Sequence, residues 1–181
     1  CIILPFRIDH VLPQRNTMTD RLPQNVLSLI ENLTNCTVPV DGYVASKHEH
    51  CYTRGKVQLH DPNIVVKGEN SGVWVADDTA AHLSIEIKGN NCAVVIGPNC
   101  RIRRTSLGLT GDNCIIVIGA GTTSEQMTAM AFPSGQSITF GDDCMISSSV
   151  VVRTSDGHSV FDRATKALVN DNASVTIGAH V

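Results

Sequence analysis

The sequence predicts a mainly β chain, a left-handed parallel β-helix built on a hexapeptide repeat and preceded by a small N-terminal segment with one helix. Three observations lead there. The 181 residues include 20 Val, 15 Ile and 15 Thr against 11 Leu, and β-branched side chains, stiff at χ1, favour pleated surfaces. From Asn63 onward, short apolar runs alternate with glycine, the texture of brief strands joined by tight turns. Those runs also repeat.

The N-terminal zone, residues 1–62, is interrupted by Pro5, Pro13, Pro23 and Pro39. One helix is expected over residues 20–33, with Pro23 near its start and Val26, Leu27, Ile30 and Leu33 on one face. Its role is not readable. The change of texture places a boundary near Asp61-Pro62 and makes residues 63–181 the repeat domain. Since the chain starts at Cys1 and stops at Val181, both ends look cut from something longer, and the last coils of the β-helix are expected to be missing.

Within the repeat domain four segments match G-[NPD]-[ND]-C-x-[VI]. They are Gly89-Asn90-Asn91-Cys92-Ala93-Val94, Gly97-Pro98-Asn99-Cys100-Arg101-Ile102, Gly111-Asp112-Asn113-Cys114-Ile115-Ile116 and Gly141-Asp142-Asp143-Cys144-Met145-Ile146. Looser copies begin at Gly68, Gly119 and Gly178. Phe140, Ile146 and Val152 step by six. Each unit then forms one short strand and one corner of a triangular coil, with the apolar residue pointing in, glycine permitting the turn and the small Cys filling the corner. Cys92, Cys114 and Cys144 are expected to occupy equivalent inward positions. Their spacing does not match the paired C-x-x-C of structural zinc. Gly68 to Gly89 is 21 residues, and Gly89 to Gly111 and Gly97 to Gly119 are 22 each, so every coil carries extra residues at a corner. Two larger excursions are expected, a loop near residues 127–135 and another between Gly141 and Gly178.

Composition excludes several functions. With 14 Lys and Arg against 17 Asp and Glu, a net charge of -3 creates no field for nucleic-acid phosphates. No apolar run approaches the roughly 20 residues of a membrane helix, and residues 1–4 lead into Pro5 and polar residues rather than into a signal peptide. Seven cysteines without an export signal read as reduced thiols. The expected compartment is the cytoplasm.

The second excursion contains Arg153-Thr154-Ser155-Asp156-Gly157-His158-Ser159-Val160-Phe161-Asp162. It follows the unit Phe140-Gly141-Asp142-Asp143-Cys144-Met145-Ile146-Ser147 and precedes Ile177-Gly178-Ala179-His180-Val181. In that order these segments resemble the bacterial hexapeptide-repeat O-acetyltransferases of surface-polysaccharide biosynthesis, over residues 63–181. The resemblance implies acetyl-CoA as acyl donor, a saccharide hydroxyl as acceptor, and a homotrimer with the donor between adjacent prisms; the cysteine and histidine spacings give the separate expectation of no metal. It makes His158 the catalytic base. The chemistry agrees, because an attacking hydroxyl must lose its proton, and imidazole, with an unperturbed pKa near 6.5, suits that task at neutral pH. Asp156, or alternatively Asp162, could accept the other ring N–H and fix the tautomer. Asp156-Gly157 is in any case a turn signal.

Other features have plainer explanations. His48 and His50 would share a face of a strand, but no third ligand follows at a recognisable spacing, so a polar surface strand is expected. His82, His158 and His180 lack the spacing of a three-histidine zinc site. Arg101, Arg103 and Arg104 could hold coenzyme A phosphates or an acidic glycan, or simply form a solvated face. Gly119-Ala120-Gly121 is half a dinucleotide fingerprint without its helix, hence a turn. The function expected is acetyl-CoA-dependent O-acetylation of a saccharide. Two alternatives stand beside it: a non-catalytic oligomerisation or carbohydrate-binding module, and N-acetylation of an amino sugar or amino acid on the same scaffold.

Overall fold

The protein's structure is a computed structural model that describes residues 21–33 and 35–181. The expected start of the helix at Asp20 lies outside those residues. The helix α1 (Gln24–Ile30) is shorter than the periodicity suggested. Pro23 occupies its N-cap with φ −58° and ψ 150°, an extended conformation that keeps the helix from starting earlier. Val26 and Leu27 are buried.

Fifteen strands follow, beginning with an antiparallel pair, β1 (Val44–Ala45) and β2 (Cys51–Thr53). The others are β3 (Val57–Leu59), β4 (Asn63–Lys67), β5 (Gly72–Val75), β6 (Thr79–Lys88), β7 (Ala93–Ile96), β8 (Arg101–Thr110), β9 (Ile115–Ile118) and β10 (Thr123–Ser124). The last five are β11 (Met127–Ala131), β12 (Ser137–Phe140), β13 (Met145–Ile146), β14 (Val150–Arg153) and β15 (Val175–Ile177). From β2 onward all strand pairing is parallel and joins each coil to the next, giving a β-solenoid of about 5 turns.

Each turn has three sides. Side one stacks β2, β5, β7, β9, β12 and β15. Side two stacks β4, the C-terminal half of β6, the same half of β8, β11 and β14. The narrow third side stacks β3, the first residues of β6 and β8, β10 and β13. The parallel ladder thus reaches upstream of Asn63, since Cys51–Thr53 and Val57–Leu59 already pair with the next coil. The residues beyond an ideal hexapeptide coil lie largely in side two, which is long enough to pair Thr105 through Leu109 with β11. No loop forms near residues 127–135: β11 occupies most of that stretch, and the chain turns directly into β12.

Inside the prism, Val94, Ile96, Ile116, Ile118 and Phe140 of side one meet Leu83, Ile85, Leu107 and Leu109 of side two and Ala81, Ile102 and Ile146 of side three. Side one is buried on its outer face as well along β5, β7 and β9, whereas Thr176 of β15 is exposed. Trp74, Ala93, Val95, Ile115 and Val117 point outward, where Leu22, Val26, Leu27, Val38 and Tyr43 cover them. This explains why β7 and β9 read as unbroken apolar runs while β6 alternates, as strands do when only one face is buried. Polar contacts fasten the covering segment along the prism. Asn25 donates to the Asn91 carbonyl (2.7 Å), and Thr37 donates through its backbone N–H and hydroxyl to the Asp142 carboxylate (2.6 Å each).

The corners follow a simple rule. In each G-x-[ND]-C unit the Asn or Asp is left-handed, as at Asn91 (φ 54°), Asn99 (61°), Asn113 (58°) and Asp143 (54°), types that tolerate this region; of the four glycines, Gly111 also has positive φ (104°). At Gly89 and Gly141 the glycine serves close stacking instead. A Cβ on Gly89 would sit 2.1 Å from the Gly111 carbonyl oxygen, and one on Gly141 would sit 2.5 Å from the Ala179 nitrogen.

The cysteines point inward as expected, but they form two ladders. Ser71, Cys92 and Cys114 share the corner before side one, whereas Thr79, Cys100, Thr122 and Cys144 share the corner before side three. Cys144 is therefore not the equivalent of Cys92 and Cys114, because the same motif builds both corners. Each ladder residue donates to the backbone carbonyl three positions before its counterpart in the next coil. Ser71 reaches Gly89 (2.8 Å), Cys92 Gly111 (3.1 Å) and Cys114 Pro133 (3.3 Å). Thr79 reaches Gly97 (2.9 Å), Cys100 Gly119 (3.2 Å), Thr122 Gly141 (3.1 Å) and Cys144 Gly178 (3.1 Å). Burial pushes the Cys100 thiol up to about 11, so it acts as a small weak donor rather than as a nucleophile.

Candidate active site

The one large departure from the coil lies between β14 and β15. Ile138 pairs with Val175, whereas elsewhere on side one Ile116 pairs with Ile138, so this turn of the solenoid contains an inserted arm. Buried Thr154 fixes both of its ends. The Thr154 hydroxyl donates to the Phe132 carbonyl (2.6 Å) and accepts from the Phe132 N–H (2.8 Å), and the Thr154 carbonyl accepts from the Ala173 N–H (3.2 Å). Beyond it the arm folds back as a small hairpin, bridged at Phe161 and Leu168. Asp162 caps its tip by accepting from the N–H groups of Thr165 (2.6 Å) and Ala164 (3.0 Å) and from the Thr165 hydroxyl (2.8 Å). Those bonds hold the Asp162 carboxyl below the usual range and commit it to the turn rather than to His158.

His158 lies at the base of this arm. The six-residue step that puts Val152 against the core would put His158 there too, but the chain has already left the coil and the imidazole side chain is 73% exposed. Its Nε2 stands 3.8 Å from Asp156 Oδ2. That is ion-pair reach for a protonated imidazole and too long for a hydrogen bond. The Asp156 carboxylate is instead occupied by Asn170, whose Nδ2 lies 3.0 Å from each carboxylate oxygen and 2.7 Å from the His158 carbonyl. Asn170 Oδ1 in turn accepts from the Val160 N–H at 2.6 Å. The Asn170 bond, followed by the His158 backbone N–H, holds the Asp156 carboxyl below its ordinary value.

Asn170 escaped the sequence reading. In sequence it is one of two asparagines in Asn170-Asp171-Asn172, a turn-like run with nothing to tie it to His158 twelve residues earlier. Beside these groups lies an open cleft of about 530 Å³, lined in part by Arg153, Ser155, Asp156, Asn170 and Ser174. The Arg153 guanidinium also packs over the Phe132 ring, 5.6 Å from its centroid.

The competing features separate in space. His48 and His50 sit in a turn, with His50 left-handed at φ 54°, rather than on the expected surface strand. Among the described residues no three His, Cys, Asp or Glu side chains converge as a metal site, and no helix is long and apolar enough to cross a membrane. His82 lies on the corner between sides three and two, while His180 follows β15 near Asp143 (3.9 Å). Gly119-Ala120-Gly121 forms a turn, with Gly121 at φ 69°.

No protein-family profile matches the sequence, and no curated protein does. Two solved structures match in shape. The polysialic acid O-acetyltransferase OatWY superposes on 74% of this chain with a TM-score of 0.52 and 20% identity. The polySia-specific acetyltransferase NeuO superposes on 66% with a TM-score of 0.50 and 23% identity. The chain spans 66% and 64% of their respective lengths. The fold expected from the repeats is therefore the fold present, a β-solenoid of the kind found in these two acetyltransferases.

Proposed function

We propose that this chain belongs to an acetyltransferase that moves an acetyl group from acetyl-CoA to a hydroxyl of a saccharide, with His158 as general base. The observation that carries this reading is the clamped arm, which presents a solvent-facing imidazole 3.8 Å from Asp156, a residue lining an open cleft, on a solenoid with the fold of two acetyltransferases. The His158 imidazole takes the proton of the acceptor hydroxyl as the oxygen attacks the thioester carbonyl. The same proton then goes to the departing sulfur, so transfer is direct and the enzyme forms no covalent bond. Asp156 lies close enough to favour the imidazolium as it forms, and Asn170 keeps that carboxylate in place and ionised. No metal takes part, and the donor's supply puts the reaction in the cytoplasm.

The active assembly in this reading is a homotrimer. Apolar side chains left exposed on the last coil and the arm support it, namely Val151, Val160, Phe161, Leu168 and Val169, with Phe161 60% exposed. Light scattering should give three times the protomer mass, and a strictly monomeric protein at micromolar concentration would count against it. His158→Ala should reduce thiol release from acetyl-CoA with a saccharide acceptor by about two to four powers of ten, leaving the thermal midpoint and acetyl-CoA affinity unchanged. Near-native turnover in that variant would remove the assignment. A panel of alcohols and amines distinguishes O- from N-acetylation.

A further inference from the structure

The coils are not equal at the corner where side three meets side two. Ala81 pairs with Ile102 but Leu83 with Thr105, so His82 alone turns a corner that takes both Arg103 and Arg104 in the next coil. Met127 pairs with Thr105 and Ser124 with Ile102, so the coil after that again uses two residues, Glu125 and Gln126. On the other side, Leu59 pairs with Ala81 and Asn63 with Ser84, so that corner too is one residue longer. One short corner between longer ones makes a notch. The outward residue of side three in the short coil is Ala80, facing Arg101 of the next, which deepens it. The result is a cleft of about 530 Å³ with Ala80, Ala81 and Ile102 as an apolar floor and basic side chains around it.

Arg104 is the telling residue. Its backbone is left-handed, at φ 39°. The other non-glycine residues held at positive φ are Asn, Asp, His or Ser, apart from Lys166 at the tip of the arm. A long side chain gains nothing from that conformation, and strain of this kind persists where a site uses it. Arg104 also has no hydrogen-bond or ion-pair partner among the described residues. Its neighbours are engaged. Arg103 pairs with Glu125 (3.2 Å), and one nitrogen of Arg101 donates to the carbonyls of Asp78 (2.5 Å) and Cys100 (2.9 Å). Three guanidiniums against one carboxylate leave the notch cationic, with donors of Arg104 and Arg101 free to fork onto an oxyanion.

We infer that this notch is a binding site for a carboxylate or phosphate carried on a sugar-sized body, with Arg104 as the principal anion contact and the Ala80–Ala81–Ile102 floor taking the apolar face of the ring. The volume is that of a small organic ligand rather than a bare ion. Its walls contain no Phe, Tyr or Trp to stack a nucleobase. The site is independent of the role of His158, because it lies on another corner and is tested by binding alone.

Titration calorimetry with a hexuronic acid, a hexose 6-phosphate and the unsubstituted hexose, each at low and high salt, tests the proposal. At least one anion should bind, more weakly as salt rises, and the neutral hexose should not. Arg104→Gly removes the guanidinium while relieving the backbone, so it should fold at least as well as the native chain and bind the anion about 10- to 100-fold more weakly. The preferred anion identifies the source as acidic saccharide or sugar phosphate. Absence of binding by both anions, equal binding of the neutral hexose, or unchanged affinity in a folded Arg104→Gly protein would each overturn it.

Discussion

Side one and the arm after β14 are built on opposite plans. On side one, β7 and β9 are buried on both faces, inward against the prism core and outward beneath the N-terminal segment. The arm has almost no buried side chain past Thr154, and a few polar groups set its shape, chiefly Asn170 and Asp162. The first region is held by apolar area, roughly 25 cal/mol per Å² removed from water, and tolerates little change. The second is held by exposed hydrogen bonds worth little in stability, which leaves it adjustable and suits it to carry chemistry.

Core truncation should break this contrast most visibly if it is wrong. Phe140→Ala, at a fully buried position, should cost about 3–5 kcal/mol, whereas Arg163→Ala at the exposed tip of the arm should stay within about 0.5 kcal/mol. Urea denaturation of both variants makes the comparison, and similar losses would mean that the arm is packed in a way its exposure denies. A smaller effect separates the hydrogen-bonded ladder from simple packing. Thr122→Val keeps the shape but strands the Cys144 N–H and leaves the Gly141 carbonyl only the weak Cys144 thiol donor (3.4 Å), so it should destabilise by about 1–3 kcal/mol. Cys100→Ser should be nearly silent, since Ser and Thr already occupy equivalent rungs. A Thr122→Val protein as stable as the native one would reduce the ladder to packing alone.

The smallest expected effect on global stability belongs to Asn170→Ala, which should leave the urea midpoint unchanged while making the arm more easily cut by protease and lowering turnover. Acid should imitate it. The Asp156 carboxyl is held below its unfolded value, so its contribution to arm structure is complete above the ordinary carboxylate range, about pH 4. It is lost as pH falls through the lower folded value. Pepsin cleavage within the arm should therefore accelerate at the acid end while the coils remain whole. An arm equally resistant across that range would show that Asn170 and Asp156 do not hold it.

Much of the coil was legible because stacking makes each turn choose the same residues. Glycine before the Asn or Asp, then a small donor, then an apolar residue is a pattern a single sequence can display. Its ambiguity was equally physical. The same four residues build two corners, so Cys144 was grouped with Cys92 and Cys114 although it stacks on Thr122 and Cys100. The difference between 21 and 22 residues was visible, but register alone shows that the missing residue is the one beside His82. The covering of side one left a trace in the unbroken runs of β7 and β9 without revealing that α1 supplied the cover. At the candidate site, His158 and Asp156 stood out by type and order. Asn170 did not, because the hairpin that returns it to Asp156 is defined by few strand pairs.

All seven ladder bonds from Ser71 to Cys144 run in one direction, from the side chain of one coil to a backbone carbonyl of the next. Every coil therefore supplies a plug downstream and offers a socket upstream. Joined this way, a unit of 22 residues such as β9 through the turn into β12 carries both halves of its own joint. Duplicating it within the gene would add one more compatible joint and no mismatched one, so such a prism can lengthen by whole turns without redesigning its interior.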